Sequence, residues 1–470
     1  MQVQSMFFRE RASRAVADAG LQQRMAKLAF AERRAVVVGE YGSEAFEALR
    51  DAGAAIRQRC IENLDVWIER FEAEATRRGA RVMFAESGAQ VAEQVVDICR
   101  RHGLKKAIKS KSMLSEEAEL NPALSRAGVE AIETDLGEYI CQLADEPPSH
   151  IIAPAIHRSR QDVADLFQRR HGRPRLEEPE LLTREAREIL RAHFLTADLG
   201  ISGGNFLVAE TGSLALVTNE GNGRMVTTLP RVHVAITGIE KVVPTLEDLS
   251  TLMRLLPRSA TGQTISNYFS VITGPRAAQD RDGPEHLYFI LVDNGRTNLL
   301  GGELQDMLRC IRCGACMNHC PVYKTVGGHA YGWVYPGPMG AVLTPAYMGL
   351  ENALDLPHAA TLCGACSVVC PVRIPLPELL RTLREKQVER RLRPWQERTG
   401  LRLWSWIARH PRIYAAFARW GVRVLRMLAN RQGMITRLPF GREWTAGRFM
   451  PAPASSRTFR DLYAARRRVN

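Results

Sequence analysis

Seven of the ten cysteines fall within residues 310–370, and no other feature constrains the fold of this 470-residue chain so tightly. The first run, Cys310-Ile-Arg-Cys313-Gly-Ala-Cys316-Met-Asn-His-Cys320-Pro321, has the spacing C-x2-C-x2-C-x3-C-P. That is the bacterial [4Fe–4S] pattern. A tight loop must aim three thiolates at one cubane; two-residue gaps permit this, and Gly314 relieves the turn. The fourth cysteine points away and serves a second cluster. The second run, Cys363-Gly-Ala-Cys366-Ser-Val-Val-Cys370-Pro371, reads C-x2-C-x3-C-P, with Ala360 where one more cysteine would complete the pattern.

The two runs together supply seven thiolates. With crossed ligation, cluster 1 takes Cys310, Cys313, Cys316 and Cys370 as a [4Fe–4S] centre. Cluster 2 takes Cys320, Cys363 and Cys366 and lacks one cysteine. It is either a [3Fe–4S] centre or a [4Fe–4S] centre whose fourth ligand is not cysteine, for which water, a partner's residue or the nearby His358 are candidates. A histidine so placed is more often an ordinary loop residue. Zinc is the competing reading, but zinc sites rarely need three closely spaced cysteines followed by x3-C-P. The 42 residues between Cys320 and Cys363 exceed what a compact ferredoxin hairpin uses, which fits a helical ferredoxin-type domain. Cys60, Cys99 and Cys141 lie in apolar surroundings and read as buried structural thiols.

The rest of the chain sets the context. Its length allows about three domains. With 45% apolar and 24% charged residues it is not a disordered chain. No apolar run is long enough to span a bilayer, and Met1–Ser5 leads into Arg9, Glu10 and Arg11 rather than an apolar leader. The expectation is a cytoplasmic protein, where crowded cysteines bind metal rather than pair as disulfides.

The domains read as a helical N-terminal segment over 1–70, an α/β domain over 71–300, the iron–sulfur domain over 301–390 and a basic helical segment over 391–470. Apolar spacing from Ala45 to Leu64 predicts helix from Ser43 to about Arg78. Strands are predicted at Arg81–Ala85, Ala107–Ile108, Val129–Ile132, His150–Ala153, Phe206–Ala209, Ser213–Thr218, His233–Ile236 and His286–Val292. Helices are predicted at Val91–Arg101 and Arg184–Phe194. Such alternation implies βαβ units and a largely parallel sheet, with more β structure in the second half. Residues 169–185, with Pro174 and Pro179, read as a loop.

Within the α/β domain, Lys109, Ser110, Lys111 and Ser112 follow a strand, where α/β ligands commonly sit. Glycine clusters at 199–205, 209–213 and 219–224 would let a backbone approach an anion closely. With Arg224 they suggest a ligand pocket; the competing reading is ordinary turns. Glu210 could act as nucleophile or base, but turn carboxylates more often cap or face solvent. No G-x-G-x-x-G follows a strand, so no nicotinamide site is assigned, and the catalytic residues stay unknown.

Net charge is +13, and its location matters. Residues 381–470 hold 22 Lys and Arg against 5 Asp and Glu, leaving 42 basic and 46 acidic residues in the remainder. Ile413, Tyr414, Phe417, Trp420, Val424 and Leu428 recur at helical spacing, with Arg412, Arg419, Arg423 and Arg426 on the other face. Trp404, Trp406 and Ile407 lie on a helix before Pro411. Such a basic amphipathic helix fits either an anionic bilayer or an acidic partner subunit, and the partner is the favoured reading. Nucleic acid is disfavoured, because the tryptophans lie on the apolar stripe rather than among the arginines.

Thr134-Asp135-Leu136-Gly137-Glu138-Tyr139-Ile140, the stretch from Gly203-Gly204-Asn205-Phe206 to Gly223-Arg224, and the two cysteine runs resemble the lactate utilisation protein B family, over roughly residues 5 to 465. The resemblance implies a lactate-utilisation α/β domain similar to the sugar-phosphate isomerase and CoA-transferase fold, followed by a helical ferredoxin-type domain. It implies the crossed ligation above, with the eighth cysteine missing as part of the family pattern. It also implies a cysteine-rich A subunit and a C subunit with the same α/β domain as partners. The expected function is an iron–sulfur electron-transfer subunit of a complex that oxidises L-lactate to pyruvate; whether the isolated chain has any turnover of its own is not assigned. The alternatives are another donor (glycerol 3-phosphate, glycolate or a thiol–disulfide pair) and, from a different class, a nucleic-acid-binding iron–sulfur protein.

Overall fold

The structure, a computed structural model, describes residues 2–266, 268–439, 441, 445 and 448–467. The chain divides into two compact units, Met1–Glu389 and Arg390–Asn470.

The centre of the first unit is a six-stranded, wholly parallel sheet. Its strands are β1 (Arg81–Ala85), β2 (Lys106–Lys109), β3 (Glu130–Glu133), β4 (Leu199–Ser202), β7 (Val232–Gly238) and β10 (His286–Val292), in the order β1-β10-β7-β4-β2-β3. Helices Gly88–His102 and Leu120–Arg126 fill the crossovers between β1, β2 and β3. The β7 strand is buried along its whole length, as a strand covered on both faces must be. A second, mixed sheet orders β8 (Val242–Val243), β5 (Phe206–Val208), β6 (Ser213–Val217) and β9 (Phe269–Ile272). This is the expected α/β architecture, and the second half of the domain is indeed the richer in strands.

Four sequence expectations change. His150–Ala153 is a turn, not a strand. The buried His150 Nδ1 accepts from the Ile152 and Ala153 amides at 3.0 and 3.1 Å, and a side chain that captures its own backbone withdraws it from a ladder. The supposed loop at 169–185 is mostly helix. Arg160–His171 closes at Gly172, and Pro179 occupies the first turn of Pro179–Thr196, where a missing N–H costs nothing. The helix from Ser43 breaks at Asn63 into Ser43–Glu62 and Leu64–Arg77. Leu199–Ser202, read as a glycine-rich approach to a strand, is itself a central strand. A Cβ on Gly200 would meet the Val226 carbonyl oxygen at 1.9 Å, so glycine is a packing requirement there.

Residues 301–389 are built from short helices and 3-10 turns around Gly337–Met348 and Leu376–Glu389. They are tied to the α/β domain by buried arginines. Arg57, fully buried, donates to the carbonyls of Val242 and Leu308 at 3.0 and 3.1 Å, of Arg309 at 3.2 Å, and of Glu240. One side chain thus joins the N-terminal helix, the strand region and the start of the cysteine loop. Cys60, Cys99 and Cys141 are buried free thiols, as expected.

In the second unit, helices Trp395–Arg409 and Pro411–Met427 contain no buried residue. Trp404, Phe417 and Trp420 are more than half exposed. Arg419 pairs with Asp461 of helix Phe459–Arg467 at 2.7 Å. Among the described residues, no helix is long and apolar enough to cross a membrane.

Candidate iron–sulfur site

The two cysteine runs fold alike. In the first, Arg312 (φ 57°) and Gly314 (φ 75°) flank Cys313 and lead into helix Ala315–Asn318. In the second, Leu362 (φ 54°) and Gly364 (φ 83°) flank Cys363 and lead into Ala365–Val368. Left-handed backbone on both sides of the cysteine curls the loop so that successive side chains turn to one centre, and glycine carries the second position without a Cβ penalty.

Cys310, Cys313, Cys316 and Cys370 line one cavity, closed by apolar atoms of Met307, Ile311, Met339, Val372, Ile374 and Leu376. Cys370 comes from the second run yet joins three cysteines of the first. Cys320, Cys363 and Cys366 form the other group, within electrostatic reach of one another. Amide hydrogens point at sulfur in both. The Arg312 N–H donates to Cys310 Sγ and the Ile374 N–H to Cys370 Sγ, each at 3.4 Å, and the Tyr323 N–H to Cys320 Sγ at 3.5 Å.

The electrostatics suit a bound anionic centre. Burial and mutual repulsion push the Cys313 and Cys316 thiols well above their ordinary range, and burial lifts Cys366 to about 11. Crowded buried thiols therefore stay protonated unless a metal centre replaces the protons. Cys363 differs: exposed, it is lowered by hydrogen bonds from Thr361 and the Ala365 amide. Cations gather on the four-thiol cavity. Arg50 and Lys241 donate to the carbonyls of Cys370 and Cys310, while Arg34 and Arg312 lie within Coulomb range of its sulfurs. The donor set, the apolar lining and the surrounding positive charge all fit an iron–sulfur cluster. His358 has its Nε2 on Gln387 Oε1 at 3.0 Å, which directs the ring toward helix Leu376–Glu389.

Similarity to known proteins agrees with this geometry. Residues 68–292 match the LUD domain, and residues 306–374 match the 4Fe-4S dicluster domain. Lactate utilization protein B of Bacillus subtilis is 41% identical over 475 residues, 99% of this chain and 98% of that protein. The protein of the same name from Bacillus licheniformis is 43% identical over 439 residues, covering 93% of this chain and 91% of that one. The chain belongs to the lactate utilization protein B family. Lactate utilization protein B of Geobacillus kaustophilus is 43% identical with the same coverage, 93% and 91%. A solved duf162 family protein from Deinococcus radiodurans aligns with 49% of this chain and 98% of its own at 12% identity and a TM-score of 0.28, a likeness too slight to bear on the site.

In this member of the lactate utilization protein B family, the other candidate residues separate. Lys109 is buried in an ion-pair cluster, its Nζ 2.5 Å from Glu133 and 2.7 Å from Asn121 Oδ1, and does not line the strand-end pocket. Lys111 and Ser112 line a pocket at the carboxyl ends of the parallel strands, together with Gly203, Gly204 and Asn205. Arg224 does not join them; it sits on helix Asn222–Thr228 with its guanidinium toward the Phe269 carbonyl. Glu210 caps a helix, its Oε2 accepting from the Leu246 amide at 3.0 Å, and takes no place in the pocket. Sequence reading missed Lys241, Thr237 and Arg312, which line the pocket, and Arg50. Arg312 lies within the Cys310–Cys313 loop itself, but nothing in the local sequence marks Thr237, Lys241 or Arg50, since only tertiary folding brings them there.

Proposed function

We propose that this chain is an iron–sulfur electron-transfer subunit of lactate utilisation, serving a complex that oxidises L-lactate to pyruvate. The observation that carries the reading is the sorting of seven cysteines into four that line one cavity, Cys370 of the second run among them, and three that include the exposed Cys363. Cys310, Cys313, Cys316 and Cys370 hold a [4Fe–4S] cluster. Cys320, Cys363 and Cys366 hold either a [3Fe–4S] cluster or a [4Fe–4S] cluster with a fourth ligand other than cysteine. Such clusters accept and pass on single electrons at potentials set by charge, hydrogen bonds to sulfur and burial.

The chain's residues supply those controls. The N–H groups of Arg312, Ile374 and Tyr323 stabilise thiolate sulfur. The cations at Arg34, Arg50 and Arg312 offset the negative charge of the four-thiolate site and favour its reduced form, while Lys241, its pKa lowered to about 7 by burial and the Arg312 charge, donates to the Cys310 carbonyl. The exposed Cys363 gives the three-thiolate site an outlet toward a second protein. A cysteine-rich A subunit and a C subunit with a related α/β domain are the proposed partners. The exposed tryptophans and arginines of the second unit offer a docking surface for such a subunit, or for the inner membrane face.

The test is anaerobic EPR with iron and sulfide analysis on protein purified with its neighbours, before and after L-lactate. Reduced-cluster signals on adding lactate are expected. Clusters silent to lactate but reduced by dithionite would assign another donor, and zinc in place of iron would sink the reading.

A further inference from the structure

Two adjoining pockets share Lys111, Ile151, Asn205, Val217 and Arg312 and so form one cleft between the carboxyl ends of the parallel strands and the Cys310–Cys313 loop. Its inner part has a volume of about 140 Å³, and Cys313 borders its outer part. The inner part admits an acid of a few heavy atoms, and the outer part is larger, about 300 Å³. In parallel α/β sheets, this end of the strands is where ligands bind.

The lining holds Lys111, Lys241, Arg296 and Arg312 against one carboxylate, Glu240. Arg296 is fully engaged by Glu117 and Glu240, and Lys111 pairs with Asp135 at 3.4 Å. Lys241 and Arg312 keep donors in hand. Lys241 uses one N–H on the Cys310 carbonyl at 3.0 Å. Arg312 lies over the Tyr335 ring and meets Glu240 and the Met339 sulfur only at 3.4 Å each. At the end of β7, Thr237 is 2% exposed, lines the same cavity, and its hydroxyl has no hydrogen-bond partner among the described residues. A buried hydroxyl so left is the mark of a missing ligand or water.

We infer that this cleft binds a small carboxylate of the 2-hydroxy or 2-oxo acid class, its carboxylate against Lys241 and Arg312 and its 2-oxygen against Thr237 Oγ1. A guanidinium fork is a natural receptor of a carboxylate, the Lys241 Nζ adds a second donor beside it, and the hydroxyl reads the neighbouring oxygen. The choice of 2-oxygenated acids among small carboxylates rests on the function proposed above. The site lies against the loop that carries Cys310, so donor and electron acceptor would share one wall.

The test is isothermal titration of the intact, iron-loaded chain with pyruvate, L-lactate, acetate and inorganic phosphate under anaerobic conditions. One equivalent of pyruvate or L-lactate should bind, with acetate weaker. Thr237→Val should lower affinity about five- to tenfold at unchanged iron content, as expected for one lost hydrogen bond. Thr237→Ser, which keeps the hydroxyl, should bind as the parent does, and Thr237→Ala against Thr237→Ser replaces the comparison if the valine variant loses iron. No heat with either acid on fully loaded protein, phosphate binding as tightly as pyruvate, acetate matching pyruvate, or a neutral hydroxyl deletion would each overturn the inference. Clusters reduced by lactate in the complex, with no acid bound by the chain, would sink this site alone. Acid binding with clusters silent to lactate would sink only the electron-transfer reading.

Discussion

Arg50 reaches across 320 residues of sequence to the carbonyl oxygen of Cys370, donating from Nε at 3.0 Å and from Nη2 at 2.8 Å. The guanidinium is buried and anchored behind by Glu47 at 2.7 Å. It fixes the one second-run cysteine that lines the four-thiol cavity and places a positive charge beside it. Arg50→Met should lower stability by about 2 kcal/mol, the scale of a charged hydrogen bond lost inside a protein. It should also reduce the iron-to-protein ratio. Arg50→Lys keeps the charge but not the planar fork, so it should fall between the two in anaerobic unfolding and iron analysis.

The position of Cys370 also separates the two cysteine groups experimentally. Cys370→Ser should perturb the same EPR signal as Cys313→Ser, although 57 residues separate the two positions. Cys320→Ser and Cys363→Ser should perturb the other signal. If ligation followed sequence order instead, Cys320→Ser would group with Cys313→Ser, and Cys370→Ser with Cys363→Ser.

Much of this was legible in the sequence because short-range chemistry dictates it. The spacing of Cys310, Cys313 and Cys316 is local geometry, and the alternation around β1, β2 and β10 follows from burial of alternate elements. What stayed hidden depends on distant partners. Leu199–Ser202 looks like a glycine turn until Val226 is placed against Gly200. His150–Ala153 has strand composition, yet the His150 ring takes its amides. Arg224 looked like the pocket's cation; Lys241 and Arg312, one from each cysteine-bearing and sheet-bearing segment, hold that place. No periodicity could announce a meeting of residues that far apart.

The paired glycines Gly314 and Gly364 should respond unequally to alanine. Both sit at positive φ, a strain of about 1–2 kcal/mol for a residue with a Cβ. A Cβ on Gly364 would meet nothing within 4 Å, so Gly364→Ala should cost about that strain alone. On Gly314 it would lie 3.0 Å from Ile152 Cδ1 and 3.3 Å from Met317 Cε, so Gly314→Ala should cost more and loosen the first loop. Thermal unfolding of the two variants under anaerobic conditions decides the order.

His233 gives the sheet a defined response to acid. Within β7 it is fully buried, its Nε2 is 2.8 Å from Ser202 Oγ, and burial lowers its pKa to about 3. The unfolded chain takes up this proton near pH 6.5 and the folded chain only near 3. The unfolded state therefore binds more protons throughout that window, and stability falls as pH drops from 6.5 toward 3. His233→Met should be somewhat less stable at neutral pH, because Ser202 loses its partner. It should also lose less stability between pH 6.5 and 4.5 than the parent in denaturant titrations.

Arg296 holds the floor of the strand-end cleft through carboxylates from two different segments. Its Nη1 and Nη2 contact Glu117 at 2.9 and 3.1 Å, and its Nε contacts Glu240 Oε2 at 2.8 Å. The Tyr335 hydroxyl, from the iron–sulfur region, donates to the same Glu117 at 2.6 Å, so the network ties that region to the sheet. All three charged side chains are almost wholly buried. Removing the cation leaves Glu117 without its ion-pair partner and Glu240 with only Arg312, 3.4 Å away, in a low dielectric, which costs about 3–5 kcal/mol and favours proton uptake by Glu117. Arg296→Met should therefore be strongly destabilised at neutral pH and partly recover as the pH is lowered, the reverse of the trend that His233 imposes. Arg296→Met combined with Glu117→Gln and Glu240→Gln should recover much of the loss without acid. A single Arg296→Met variant as stable as the parent at pH 8 would show that the network does not hold the two regions together.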